Sequence, residues 1–354
     1  MLGLRGRPDP RGSRSALRPG RSATARRALR YWWPAGTALL GAALSTVLVV
    51  ATSGTTPALR ASAAAGPASR IRATLRPALV PHPATAPAAS APRGVVARGG
   101  ELADGATGAR MWSRDLSVPR PMGSITKVMT ALLVIEAGDL NRKITVSRAA
   151  IRYVHRDGAS SAGLIAGDVL TARQLLEAML LPSGCDAAYL LATAYGPGRK
   201  AFIAKMNAMA RQLGLTSTHF TSFDGMPFPT EHSTYSTPAS LVRLGEAAMH
   251  FQVFRAIVAQ RQHYLAATRG HHRYAWHATN PLLRRYRGAI GLKTGSTKAA
   301  GECLLFAASR GGRTLIGVVL HSGREGSPDL YTAARRLLNW GFRQPPAPAV
   351  PAAG

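Results

Sequence analysis

The hydrophobic positions of this chain are organised in three ways. The first is an unbroken run, YWWPAGTALLGAALSTVLVVA from Tyr31 to Ala51, without a charged residue. It matches the roughly 20 apolar residues a bilayer-crossing helix needs. Nine arginines precede it, which orients residues 1–30 to the cytoplasm and everything later to the outside. The pattern predicts a cytoplasmic arginine-rich tail (1–30), a transmembrane signal-anchor (31–51) and a single-pass cell-membrane protein whose folded part is extracytoplasmic. The alternative is a secreted protein whose leader is cleaved near Ala61-Ser62-Ala63.

The second pattern is the absence of one. Residues 52–93 are mostly Ala, Pro, Ser, Thr and Arg. Such a composition builds no core, and proline keeps it extended, so a disordered linker is expected there. A similar tail is expected over 344–354.

The third pattern, over 94–343, is periodic. Val95–Ala103 and Ala109–Trp112 read as strands around an ADGATG turn. A helix is expected from Ser124 to Ala137, with Val128, Leu132 and Ile135 at helical spacing and Gly138 as its stop. Thr171 caps another, running to Leu181, which Pro182-Ser183-Gly184 breaks. Helices follow over Asp186–Ala194, Ala201–Leu213 (core stripe Phe202, Met206, Met209) and Pro238–Met249. Then the period shortens: Gly288–Lys293, Cys303–Ser309 and Arg313–Leu320 read as strands, and Leu330–Trp340 as a closing helix. Hairpin, helices, antiparallel strands and a last helix predict an α+β fold, a mixed antiparallel sheet packed against helices with an all-helical cluster between its strands.

Composition changes this picture little. The chain has 354 residues and a formal net charge of +29, nearly all of it arginine and spread rather than clustered. Without zinc-finger spacing, a base-stacking motif or basic heptads, no nucleic-acid partner is expected. Cys185 and Cys303 form no CxxC unit and no zinc cluster; whether they pair or stay buried thiols is left open. No metal and no cofactor is implied.

The chemistry starts at PMGSITKVMTALL. Ser124 and Lys127 are three apart and share a helix face. A neutral lysine amine there could take the serine's proton, provided that burial or a second cation lowers its affinity for protons. Lys293, in AIGLKTGST, is the candidate second cation. The two fragments and Ser183-Gly184-Cys185 occur in the order Ser-Ile-Thr-Lys, Ser-Gly-Cys, Lys-Thr-Gly.

Those three motifs, together with GDVLTARQLLEAMLLPSGCDAAYLLA and NPLLRRYRGAIGLKTGSTKAAGECLLFAA, resemble the D-alanyl-D-alanine carboxypeptidases, the low-molecular-weight penicillin-binding serine peptidases of family S11. The resemblance covers about Val95 to Phe342 and implies a β-lactamase/transpeptidase-like fold. It implies Ser124 as the acylated nucleophile, Lys127 as its base and Ser183 as a proton relay. Lys293, Thr294 and Thr297 would hold the substrate's terminal carboxylate. Gly295 would let the strand lie close to the substrate. The backbone amides of Ser124 and Ser296 would form the oxyanion hole. The implied partners are peptidoglycan stem peptides and lipid-linked precursors, with β-lactams as covalent inhibitors and the membrane reached through 31–51.

One substrate-binding position departs from the family: Cys185 stands where asparagine is usual, and a thiol is a weak hydrogen-bonding group. The expected function is removal of the terminal D-Ala from stem pentapeptides. The alternatives are a DD-transpeptidase, a serine β-lactamase, for which no glutamate-x-x-leucine-asparagine segment exists between Ser183 and Lys293, and a membrane-tethered wall sensor with little turnover. Asp186 and Asp224-Gly225 read as scaffold.

Overall fold

The computed structural model describes residues 91–324 and 326–346. Five strands form an antiparallel sheet in the order Arg110–Arg114, Gly99–Asp104, Arg313–Leu320, Gly301–Arg310, Ala289–Thr297. Side chains alternate between the two faces of a strand. Leu304, Phe306 and Ala308, with Leu315 and Val319, therefore pack on the closing helix Asp329–Gly341. Cys303, Leu305 and Ala307, with Ile316 and Val318, face the helical cluster on the other side. Both faces are covered, which is why GECLLFAASR reads as a nearly continuous apolar run instead of an alternating one. Each fully buried leucine or phenylalanine adds about 1.5–3 kcal/mol over exposure.

The helix Lys127–Ala137 runs through the cluster and is buried on nearly every side from Lys127 to Leu132, as a helix apolar all round should be. Cα neighbours around it come from the helices Ala172–Leu180, Cys185–Tyr195, Arg199–Gln212 and Pro238–Met249. The first of these opens on a capping box: the Thr171 hydroxyl accepts from Gln174 N at 3.2 Å, and Gln174 Oε1 accepts from Thr171 N at 2.8 Å.

The α+β architecture is as the sequence predicts, with differences at the ends. The last sheet strand runs to Thr297, four residues past the expected end, because Lys-Thr-Gly-Ser-Thr looks like a turn yet stays paired: Gly295 lies opposite Cys303 and Thr297 opposite Gly301. Ser124 does not open an α-helix. It sits in a 3₁₀ turn, Gly123–Thr126, that leads into one. The helices Arg148–Asp157 and Gln252–Val258 and three two-stranded ladders are additional. Strands of two to four residues are too short to show a period.

The membrane reading requires correction. Residues 31–51 lie outside the described residues, and among the described residues no helix is long and apolar enough to cross a membrane. The helix Arg199–Gln212 has 14 residues, about 21 Å at ~1.5 Å per residue, against a hydrocarbon core of about 30 Å. The single-pass topology, the extracytoplasmic placement and the membrane partnership are not carried forward. The tail at 1–30 and all but the inner edges of the segments 52–93 and 344–354 also lie outside the described residues.

Candidate active site

In a 3₁₀ turn, residues three apart eclipse one another. Ser124 and Lys127 are related in this way, and Lys127 Nζ lies 2.8 Å from Ser124 Oγ. The amine also meets the backbone carbonyl of Asp224 at 2.9 Å and Cys185 Sγ at 3.2 Å. Lys127 is completely buried. An amine taken out of water needs such partners to offset its lost hydration.

The Ala289–Thr297 strand is the last of the sheet, so one of its edges is left to the cavity. The chain approaches the serine turn there more closely than a side chain permits. A Cβ on Gly295 would lie 2.3 Å from Met122 O and 2.9 Å from Ser124 N, and one on Gly123 would lie 2.7 Å from Ser296 N. The glycine of Lys-Thr-Gly is thus required by the serine turn itself, a different reason from the substrate clearance expected. The same approach brings the Ser124 and Ser296 amides to one end of the cavity.

Two residues before Gly295 on the same face, Lys293 is also completely buried. Burial and, secondarily, the neighbouring Lys127 charge hold its amine well below the usual lysine range. Its hydrogen bonds go to Thr294 O at 3.1 Å and, at 3.5 Å, to Thr294 Oγ1. The Thr294 hydroxyl is 2.6 Å from that of Thr279. Thr297 Oγ1 accepts from Ala300 N at 3.1 Å.

Ser183 lies between two helices with φ +68°, a strained backbone for a residue with a side chain. Its carbonyl accepts from Ser160 Oγ at 2.6 Å. Among the described residues no hydrogen bond joins its hydroxyl to either lysine; Cys185 occupies the place beside Lys127. Burial pushes the Cys185 thiol up to about 11, so it is a neutral SH group near pH 7. Both cysteines are free and buried, which closes the disulfide alternative.

A cavity of about 670 Å³ joins these parts. Ser124, Ser183, Thr294, Gly295, Ser296 and Thr297 line it, and the two lysines lie behind its wall. Thr279, Ser160 and Arg285 line it too and went unnoticed in the sequence, where nothing but adjacency to Asn280-Pro281 marks Thr279. Asp224, read as scaffold, reaches Lys127 through its carbonyl. Asp186 is structural: its buried carboxylate accepts from Ala162 N at 3.0 Å and Ser161 Oγ at 2.6 Å. A hydroxyl in contact with a buried amine, two amides at the same cavity end and a hydroxyl-lined wall suit acyl transfer through a serine ester.

Comparisons with known proteins agree. The family model described as D-alanyl-D-alanine carboxypeptidase, peptidase family S11, matches residues 85–323. A D-alanyl-D-alanine carboxypeptidase of Streptomyces sp. (strain K15) is 43% identical over 261 residues, 70% of this chain and 88% of that protein. The D-alanyl-D-alanine carboxypeptidase DacB2 of Mycobacterium tuberculosis is 38% identical over 250 residues, 70% of this chain and 83% of that protein. The crystal structure of the Streptomyces K15 DD-transpeptidase matches with a TM-score of 0.68 at 40% identity, covering 72% of this chain and 100% of that one.

Proposed function

The chain belongs to the S11 family of D-alanyl-D-alanine carboxypeptidases, and from that premise we propose that it is a DD-transpeptidase, passing a peptidoglycan stem acyl group from Ser124 to an amine, with hydrolysis as its second outcome. It is a serine-type DD-peptidase acting on D-Ala-D-Ala termini; the division between amine and water is the finer claim.

The observation that carries the mechanism is the 2.8 Å contact between Lys127 Nζ and Ser124 Oγ. Ser124 Oγ attacks the carbonyl carbon of the penultimate D-Ala while its proton passes to the amine of Lys127. The negative charge formed on the carbonyl oxygen is received by the Ser124 and Ser296 amides; removing one donor of this kind costs roughly 2.7–4 kcal/mol in barrier. Collapse breaks the C–N bond, the proton goes from Lys127 to the leaving nitrogen, and D-Ala departs. An amine or a water then attacks the ester, restoring Ser124 and returning its proton. The hydroxyls of Thr294 and Thr297 receive the terminal carboxylate, with Lys293 behind them.

The acidic groups near Ser124 are engaged elsewhere. Asp224 meets Lys127 only through its backbone carbonyl, and its carboxylate is occupied by Tyr153 and Met226. Glu302, a carboxylate lining the cavity, accepts from Gly326 N at 2.6 Å. Among the described residues no carboxylate is hydrogen-bonded to Ser124. The match to a structure described as a DD-transpeptidase supports the transfer reading.

The test is a pentapeptide ending in D-Ala-D-Ala, incubated with the enzyme with and without a glycyl-peptide amine and followed by mass spectrometry. D-Ala release, a Ser124 adduct and a transfer product that outweighs the tetrapeptide when amine is present are expected. Tetrapeptide alone at every amine concentration would reduce the protein to a carboxypeptidase. No Ser124 adduct would remove the mechanism.

A further inference from the structure

The amine of Lys127 has three neighbours, and they differ in what they can do. Ser124 Oγ and Cys185 Sγ each donate or accept, whereas the Asp224 carbonyl only accepts. The amine lies 2.9 Å from the Asp224 carbonyl, 3.2 Å from the Cys185 sulfur and 2.8 Å from the Ser124 hydroxyl. The acceptor-only carbonyl always takes an N–H from the amine, whichever way the other two contacts run, so it fixes where the amine sits.

That carbonyl is held by a clamp outside the three motifs. Asp224 is completely buried. Its Oδ2 accepts from the Tyr153 hydroxyl at 2.8 Å, and its Oδ1 from Met226 N at 3.1 Å. On either side, Thr130 Oγ1 donates to Phe223 O at 2.5 Å and Gly225 N donates to Ser222 Oγ at 2.9 Å. Tyr153 belongs to the Arg148–Asp157 helix, and its ring lies 5.4 Å from that of Tyr189 and 5.6 Å from that of Phe223. Burial, and then the Asp224 charge, push its phenol far above the usual range, so it stays a donor. The loop also touches the nucleophile's turn, since a Cβ on Gly225 would lie 2.0 Å from Gly123 O.

We propose that Tyr153 and Asp224 are positioning residues that hold the Lys127 amine against Ser124, a role that presupposes the Ser124 acyl-enzyme. Neither touches the substrate; both act through the Asp224 carbonyl. An acylation step is sensitive to such placement, because a misplacement of ~1 Å can cost about a hundredfold.

The experiment is stopped-flow acylation of the full chain by a fluorescent penicillin, separating the non-covalent binding constant from the acylation rate constant. Tyr153→Phe keeps the ring packing and deletes one hydroxyl; Asp224→Asn keeps the shape and serves as the second variant should the first fail to fold. In each, the acylation rate constant is expected to fall by about ten- to a hundredfold while the binding constant and the final labelled fraction stay at the wild-type value. Loss of binding, or a smaller labelled fraction reacting at the wild-type rate, marks a structural role and overturns the proposal, as does an unchanged rate. Ser124→Ala separates the premise from the inference. If it still labels, the acyl-enzyme itself is wrong; if it does not and Tyr153→Phe reacts at the wild-type rate, only the clamp is wrong.

Discussion

Two completely buried lysines stand in one small region on opposite walls, and their surroundings differ. Lys127, at the head of the central helix, is held by a hydroxyl, a sulfur and a carbonyl from three separate chain segments. Among the described residues, Lys293, on the edge strand, has hydrogen bonds only to oxygens of its neighbour Thr294. An amine with three fixed contacts has a fixed direction, as a base must. An amine with little but its own strand has lost most of what stabilises a charge, and its affinity for a proton falls accordingly. In the proposed mechanism the same residue type would serve as a proton acceptor in one place and as part of a carboxylate site in the other.

The sharpest way to break the comparison is Lys127→Ala. General-base catalysis contributes about 10²–10⁴-fold, so penicillin acylation should fall by that order while the fold persists. Labelling at the wild-type rate would leave Lys127 without its role. Next comes Gly295→Ala, which places a methyl group 2.3 Å from Met122 O. It should cost about 1–3 kcal/mol by overpacking, read as a lower urea midpoint, and slow acylation by parting the two walls.

Lys293→Met tests the second wall through pH. The folded-state pKa of Lys293 is lowered from 10.5, so the unfolded chain binds the extra proton between the two values. Its penalty is therefore full below the folded value and fades as pH rises toward about 10.5. Wild-type stability should climb over that window. The methionine variant should lack the climb and be the more stable protein at pH 7, in urea melts at several pH values. An equal slope would mean that Lys293 is charged and paired in the free enzyme. The smallest effect is expected at Cys185. Its thiol, pushed up to about 11, should resist iodoacetamide at pH 8 in the folded protein. Cys185→Ser should change acylation by no more than about tenfold, the worth of one neutral hydrogen bond.

The helices and sheet strands that bury whole faces were legible because burial imposes a pattern. The helix through Val128, Leu132 and Ile135 shows it as a period, whereas the strands over Cys303–Ser309 and Arg313–Leu320, buried on both faces, show as short continuous apolar runs. The short ladders, and the extension of the edge strand to Thr297, were not, since pairing partners rather than periodicity define them. Of the site, Ser124, Lys127, Ser183 and Lys-Thr-Gly stand out as motifs. Asp224 does not, because its contribution to Lys127 is a backbone carbonyl, and every residue has one.

What the sequence determined by itself is which chemical groups are present and in what local order: a hydroxyl three residues before an amine, a second amine before threonine and glycine, and enough apolar surface to bury both. What only the tertiary structure decided is which way those groups face. Direction depends on contacts such as Lys127 with Asp224, residues 97 positions apart in the chain, and no local pattern encodes a contact made by backbone atoms across a folded core.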